Sequence, residues 1–228
     1  MTILCIETST NCCSAAIAIN GEAQAIRANL TGANHASELP VFVEELMSEA
    51  RAKHWNIDAV ALSQGPGSYT GLRIGASLAK GLCYGLNIPL IPVDTLQILC
   101  AAAVTEQIPQ NALLCPMLDA RRMEVYTSLY TRECARTRDI EAKIIDEHAF
   151  ETELKEQPIY FFGNGAGKCQ ELIQSDNAYF MEGILPQTQY MGALAEHLPQ
   201  LDIKQVAYYE PFYLKEFVAA PSHIKGLN

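Results

Sequence analysis

The sequence predicts an α/β protein of two lobes, each a mixed β-sheet flanked by helices. Three observations carry this. Short apolar runs bounded by turn residues alternate with helically patterned stretches. The order βββαβα occurs twice along the chain. The 228 residues are 49% hydrophobic and only 18% charged, enough apolar side chains for two cores.

Residues 3–8 read as a short apolar strand and 13–19 as a second. Asn20-Gly21 between apolar runs is a hairpin turn, because both positions accept positive φ. Residues 23–29 close a three-strand meander. A helix follows over roughly 35–53, where Leu39, Phe42, Val43, Leu46, Met47 and Ala50 form one apolar stripe. Asn34 or Ser37 can cap it. Pro40 fits only in a first turn, which pins the start near residue 37. Residues 57–63 read as a buried strand, 65–67 as a glycine turn, 70–86 as a helix, 89–93 as a strand and 96–104 as a helix.

The second half repeats the order without self-similarity. Strands are expected at 113–118, 124–130 and 143–146, a helix at 147–156 and a strand at 158–162. A turn with Gly163, Gly165 and Gly167 leads into a helix at 168–174. A helix at 188–198 and an extended segment at 208–215 finish the pattern. Doubled βββαβα is the plan of the two-lobed actin-like ATPase (ASKHA, ribonuclease H-like) fold, an analogy that carries no function by itself. The polar, proline-broken stretch at 104–111 separates an N-terminal lobe, 1–106, from a reduced C-terminal lobe, 107–228.

No apolar run reaches the ~18–20 residues that span a bilayer. The N-terminus lacks a basic flank and meets Glu7 early, so it reads as a strand and not a signal peptide. Eight cysteines, none in a C-x-x-C pair, argue against zinc and against a disulfide scaffold. They suit the reducing cytoplasm, the expected location. A net charge of −10 opposes unaided binding to a polyanion.

The segment Gly65–Gly75, reading GPGSYTGLRIG, superficially resembles a phosphate loop. It lacks the Walker spacing and its lysine. The helix after it is apolar over most of its circumference, which calls for burial on more than one side. Its polar residues Arg73, Ser77, Lys80 and Tyr84 fall on one narrow stripe. Gly71/Gly75 and Gly81/Gly85 are four apart and let another backbone come close. Burial within the chain and contact with another chain both satisfy this pattern. His35 and Glu38 share a helix face but read as a solvated helix start, and His54 and His148 stand alone. No G-x-S-x-G elbow is present. Asp119-Ala-Arg-Arg122 reads as an anion site or as a charge cluster closing a turn.

Together the blocks Ile6–Thr10, His35–Pro40, Gly65–Gly75 with Ala79-Lys80-Gly81, Asp119–Tyr126 and Pro211–Lys215 resemble the TsaB family, formerly YeaZ. The late block has Lys215 where the family usually has Arg. The resemblance implies a non-catalytic partner of the related enzyme TsaD, working with the ATPase TsaE. That assembly makes N6-threonylcarbamoyladenosine at adenosine 37 of tRNAs reading ANN codons. In the catalytic relative two metal-binding histidines lie four apart after a Pro-Leu-Ile-x-Val strand. The matching positions here are Thr95 and Leu99, and leucine cannot bind a metal.

These readings set the expectations. Leu39, Val43, Met47, Leu72, Gly75, Ala79 and Leu82 are the apolar interface candidates for TsaD, and Arg73, Lys80 and Tyr84 the polar ones. The same face is expected to form a homodimer when the chain is alone. Glu7, Thr8 and Arg73 are the nucleotide-proximal candidates. No cofactor is expected to bind tightly, ATP or ADP binding weakly where partners meet. tRNA is reached only through the complex, and no membrane is involved. A small ATPase or kinase of the same fold is the alternative, followed by a metallopeptidase.

Overall fold

The structure, a computed structural model, describes residues 1–104 and 107–215. The first lobe contains β1 (Thr2–Glu7), β2 (Cys13–Ile19), β3 (Glu22–Asn29), α1 (His35–Ala52), β4 (Ala59–Gly65), α2 (Tyr69–Leu86), β5 (Leu90–Asp94) and α3 (Thr95–Ala103). Its sheet runs β3-β2-β1-β4-β5. The second lobe contains β6 (Leu113–Asp119), β7 (Glu124–Thr127), β8 (Glu141–Ile144), α4 (Glu151–Glu156), β9 (Ile159–Phe162) and β10 (Ala178–Met181). Its sheet runs β10-β9-β6-β7-β8. Read from the other edge, the second order repeats the first strand for strand. The doubled plan is therefore real in topology although invisible as sequence similarity.

β1 lies at the centre of its sheet, antiparallel to β2 and parallel to β4. Both its faces are covered. Leu4 and Ile6 enter a core with α1 and α2, and Ile3 and Cys5 enter a second core on the opposite face. A strand buried on both faces reads as a continuous apolar run, as this one does. β3 is an edge strand and alternates, with Ala25 buried between exposed Gln24 and Ile26. Asn20 and Gly21 take φ of 51° and 83°, the paired positive values of the expected hairpin turn.

α1 starts at His35, so Pro40 is its sixth residue and lies past the first turn. Pro40 is exposed, so its missing N–H leaves a carbonyl on the solvent side of the helix. Asn34 caps by position without a side-chain bond. Instead the Glu38 carboxylate accepts from the Asn34 N–H at 3.2 Å. α2 is capped by Ser68, whose Oγ accepts from the Gly71 N–H at 3.3 Å. It ends at Asn87 with φ of 55°, a left-handed C-cap.

Three expectations change in the second half. The helix expected at 168–174 is only a 3-10 turn, Gly167–Cys169, followed by the unforeseen β10. The segment expected to be extended from 208 is preceded by α6 (Ile203–Tyr208), which an Asp202–Gln205 capping box starts. The helix expected at 188–198 is a 3-10 turn, Thr188–Tyr190, and a short α5 (Met191–Ala195). The lobe assignment 107–228 changes as well. Met191 and Ala195 of α5 pack with Ile3, Cys5 and Ala59, and Val206 of α6 joins the α1–α2 core. The chain thus returns to the first lobe, whose sheet would otherwise leave an apolar face bare. The boundary residues 105–106 and the terminal 216–228 lie outside the described residues.

Candidate functional site

The glycines of the Gly65–Gly75 segment answer to a backbone of this same chain. A Cβ on Gly67 would collide with the Ser9 carbonyl oxygen, one on Gly71 with the Thr8 carbonyl oxygen and one on Gly75 with Thr8 Oγ1. The loop after β1 therefore lies directly on the first two turns of α2. Thr8 Oγ1 donates to the Gly71 carbonyl at 2.8 Å, and the Ser68 N–H donates to the Ser9 carbonyl at 2.7 Å. Gly81 and Gly85 differ: a Cβ on either would meet no atom within 4 Å.

Glu7 anchors this loop from below. Its side chain is fully buried, and Oε1 accepts from the Ser9 N–H at 2.5 Å. Oε2 and the flanking Ser9 and Ser63 hydroxyls make no hydrogen bond. Ser14 pairs with Glu7 across the β1–β2 ladder, so the surroundings are hydroxyl-rich but carry no positive charge. Burial pushes the Glu7 carboxyl up to about 7, against a smaller lowering by the Ser9 N–H that Oε1 accepts. Glu7 and Thr8, expected near a nucleotide, are wholly enclosed and hold the loop instead.

Most of the apolar interface candidates are also internal. Leu39, Val43, Leu72 and Ala79 are 0%, 4%, 1% and 0% exposed, and Gly75 is buried under Thr8. Met47 and Leu82 are half-buried against the same core. The apolar encirclement of α2 is satisfied by the sheet on one side and by the 8–9 loop and α1 on the others. Among the polar candidates, Lys80 Nζ donates to the Ala207 and Tyr209 carbonyls at 2.9 and 3.1 Å. Tyr84 is 81% exposed, and exposed Arg73 donates to Tyr69 Oη at 2.6 Å.

What remains open is a groove of about 480 Å³ between the two helices. Ala36, Leu39 and Pro40 line it from α1, and Tyr69, Thr70, Arg73, Ile74, Ser77 and Leu78 from α2. Its walls are mainly apolar, and the Arg73 guanidinium lies 5.3 Å from the Tyr69 ring at one rim. The sequence reading took the buried stripe for the contact and missed Ile74 and Leu78. Their signal was present, since Tyr69, Arg73 and Ser77 recur at i, i+4 and i+8 with Ile74 and Leu78 beside them.

A second depression, about 550 Å³, lies between the lobes. Ser9–Asn11, Gly67–Thr70, Leu118–Arg121, Asn164 and Phe212–Lys215 line it. Asp119 is occupied: it pairs with Lys168, and its Oδ1 accepts from the Arg121 N–H at 3.0 Å. Lys168 also donates to the Arg122 and Glu124 carbonyls at 2.6 and 2.8 Å. The Asp119–Arg122 cluster thus closes the β6–β7 turn, with Arg121 and Arg122 at φ of 73° and 50°. His35 bonds the Cys12 carbonyl at 3.0 Å and Glu38 holds Asn29 at 2.9 Å, both structural roles. Among the described residues no group of three or more His, Cys, Asp or Glu could hold a metal.

Thr95 and Leu99 sit fully buried where the structure turns from β5 into α3. Thr95 Oγ1 accepts from the Gly65 N–H at 3.1 Å, and Leu99 packs beside Leu96 and Phe162.

Residues 23–220 match the family model of TsaD, the tRNA N6-adenosine threonylcarbamoyltransferase. The tRNA threonylcarbamoyladenosine biosynthesis protein TsaB of Haemophilus influenzae is 31% identical over 229 aligned positions, covering 96% of this chain and 95% of that protein. TsaB of Bacillus subtilis is 29% identical, covering 88% and 83%. A solved structure from Pseudomonas aeruginosa, described as similar to peptidase YEAZ, superposes with a TM-score of 0.78 at 25% identity. It covers 94% of this chain and 99% of that one.

Proposed function

Because the chain belongs to the TsaB (YeaZ) family and has its two-lobed actin-like fold, we propose that it is a non-catalytic partner in tRNA threonylcarbamoyladenosine synthesis. Its partner in this reading is a TsaD-type transferase, with a TsaE-type ATPase completing the assembly. tRNA is met through the complex, in the cytoplasm, in line with the chain's own acidity. ATP or ADP binds weakly where the partners meet. A second copy takes the partner's place when the chain is alone.

The observation that carries this is the α1–α2 groove, apolar and uncovered among the described residues. Uncovered apolar surface of this kind marks association sites. The groove's accessible walls are Pro40, Ile74, Ser77 and Leu78, and Leu39 lies buried behind them. The internal candidates Val43, Leu72, Gly75 and Ala79 shape the two helices and do not reach a partner. The positions matching the catalytic relative's metal histidines support the non-catalytic role. Thr95 is engaged with Gly65 and Leu99 is packed in the core, so neither faces a substrate.

Reconstitution tests the reading. The TsaD-type and TsaE-type proteins of the same organism, with an activated threonylcarbamoyl donor and tRNA, are expected to form the modified nucleoside only when this chain is added. Mass spectrometry of the digested tRNA reads it. Full modification without this chain refutes the partner role, and modification by this chain alone refutes the non-catalytic one.

A further inference from the structure

The end of β4, just ahead of α2, is held by two separate tethers from the second lobe. One begins at Tyr130, which is locked to β6 by paired backbone bonds with Leu114, both 2.9 Å. Its ring is fully buried, and its hydroxyl donates to Asp94 Oδ2 at 2.6 Å. Asp94 Oδ1 accepts from the Leu96 N–H at 2.9 Å and caps α3. The adjacent Thr95 Oγ1 accepts from the Gly65 N–H at 3.1 Å. The route therefore runs from the second sheet, through the start of α3, to the last residue of β4.

The other tether is the segment after α6. The Phe212 N–H donates to the Gln64 carbonyl at 2.7 Å. The Phe212 carbonyl lies so near Gly65 that a Cβ there would stand 2.6 Å from it. The Tyr213 ring is 5.1 Å from the Tyr69 ring in the first turn of α2. Lys215 then pairs with Glu124 on β7 of the second lobe. Gln64 and Gly65 are thus gripped from both sides, and both grips end on the second sheet. Three residues further on, Ser68 caps α2, and Tyr69, Thr70 and Arg73 form one rim of the groove.

We propose that the second lobe is a positioning clamp: through Tyr130–Asp94–Thr95 and Glu124–Lys215–Phe212 it sets the first turn of α2 and so the rim of the partner groove. The link to partner affinity rests on the reading of that groove as the docking site. This gives a non-catalytic chain a physical reason to keep a second lobe. Tyr130, Asp94 and Thr95 act through Gly65, and Lys215 acts through Phe212.

Two substitutions break the tethers separately, Tyr130→Phe at a buried hydroxyl and Lys215→Met at a half-exposed ion pair. Hydrogen exchange is read at the amides of Gly71, Leu72, Arg73 and Ile74, with the β2 amides as an internal reference. A lost hydrogen bond of about 1 kcal/mol corresponds to roughly fivefold faster exchange. The clamp predicts that increase at residues 71–74 in each variant, a larger one in the double variant, and no change in β2. It also predicts a roughly fivefold weaker dissociation constant for the TsaD-type protein. Unchanged exchange at 71–74, or an increase shared equally by β2, overturns the proposal. If Tyr130→Phe does not fold, Lys215→Met decides alone. If wild type does not bind the TsaD-type protein, the partner reading fails, while the exchange measurement still decides the clamp.

Discussion

Glu7→Gln makes the buried carboxyl permanently neutral while keeping an oxygen to accept from the Ser9 N–H. Glu7 is enclosed among hydroxyls with no cation at hand, and its carboxyl is raised from 4.5 to about 7. The folded chain therefore binds the proton more tightly than the unfolded chain. Stability from this group is fully present below pH 4.5, declines between 4.5 and 7, and stays reduced above. The difference amounts to about 3 kcal/mol at pH 8, on the order of 6–10 °C in Tm for a chain of this size. The glutamine variant should lack this decline. Urea unfolding of both proteins at pH 5.5, 6.5, 7.5 and 8.5 reads it. The stability of the variant relative to wild type is expected to rise by about 2 kcal/mol from pH 5.5 to pH 8.5. A difference between the two proteins that does not change with pH would refute the reasoning, because it would mean the carboxylate is compensated in the folded state.

The two glycine pairs of α2 should part company. Gly71→Ala and Gly75→Ala drive a methyl into the Thr8 loop and should cost about 2 kcal/mol or more by thermal unfolding. Gly81→Ala and Gly85→Ala enter open space and should add about 0.5–1 kcal/mol, as alanine favours the helix. Lys80→Met removes both bonds that hold the Ala207 and Tyr209 carbonyls, so limited proteolysis should cut after α6 sooner than in wild type. Ser77→Trp places a large ring on an exposed groove wall and should leave the melting temperature within about 2 °C, since surface changes cost little.

Much of this fold was legible because its signals are local. The apolar run of β1, the Asn20-Gly21 hairpin and the stripe of α1 each name their element within a dozen residues. The second lobe was less so. β10 is four residues long, Ala178–Met181, and only its pairing with β9 reveals it as a strand. α6 carried a readable Asp202–Gln205 capping box that the search for apolar periodicity passed over. The site divided in the same way. Periodicity showed that α2 must be covered nearly all round, but not by what. The backbone that fits against Gly67, Gly71 and Gly75 comes from Thr8 and Ser9, some sixty residues earlier, and no local pattern encodes that meeting. Ile74 and Leu78 could not be told from the buried face, because a sequence does not say how far a neighbouring helix reaches.

The central claim is that the groove between α1 and α2 receives a TsaD-type protein. Isothermal titration of this chain into that protein, beside the Ser77→Trp and Tyr84→Ala variants, tests it most directly. Saturable one-to-one binding by wild type, lost or weakened at least tenfold in Ser77→Trp while the fold is intact, is the predicted result. Equal affinity of wild type and Ser77→Trp, or no binding by wild type, would contradict it.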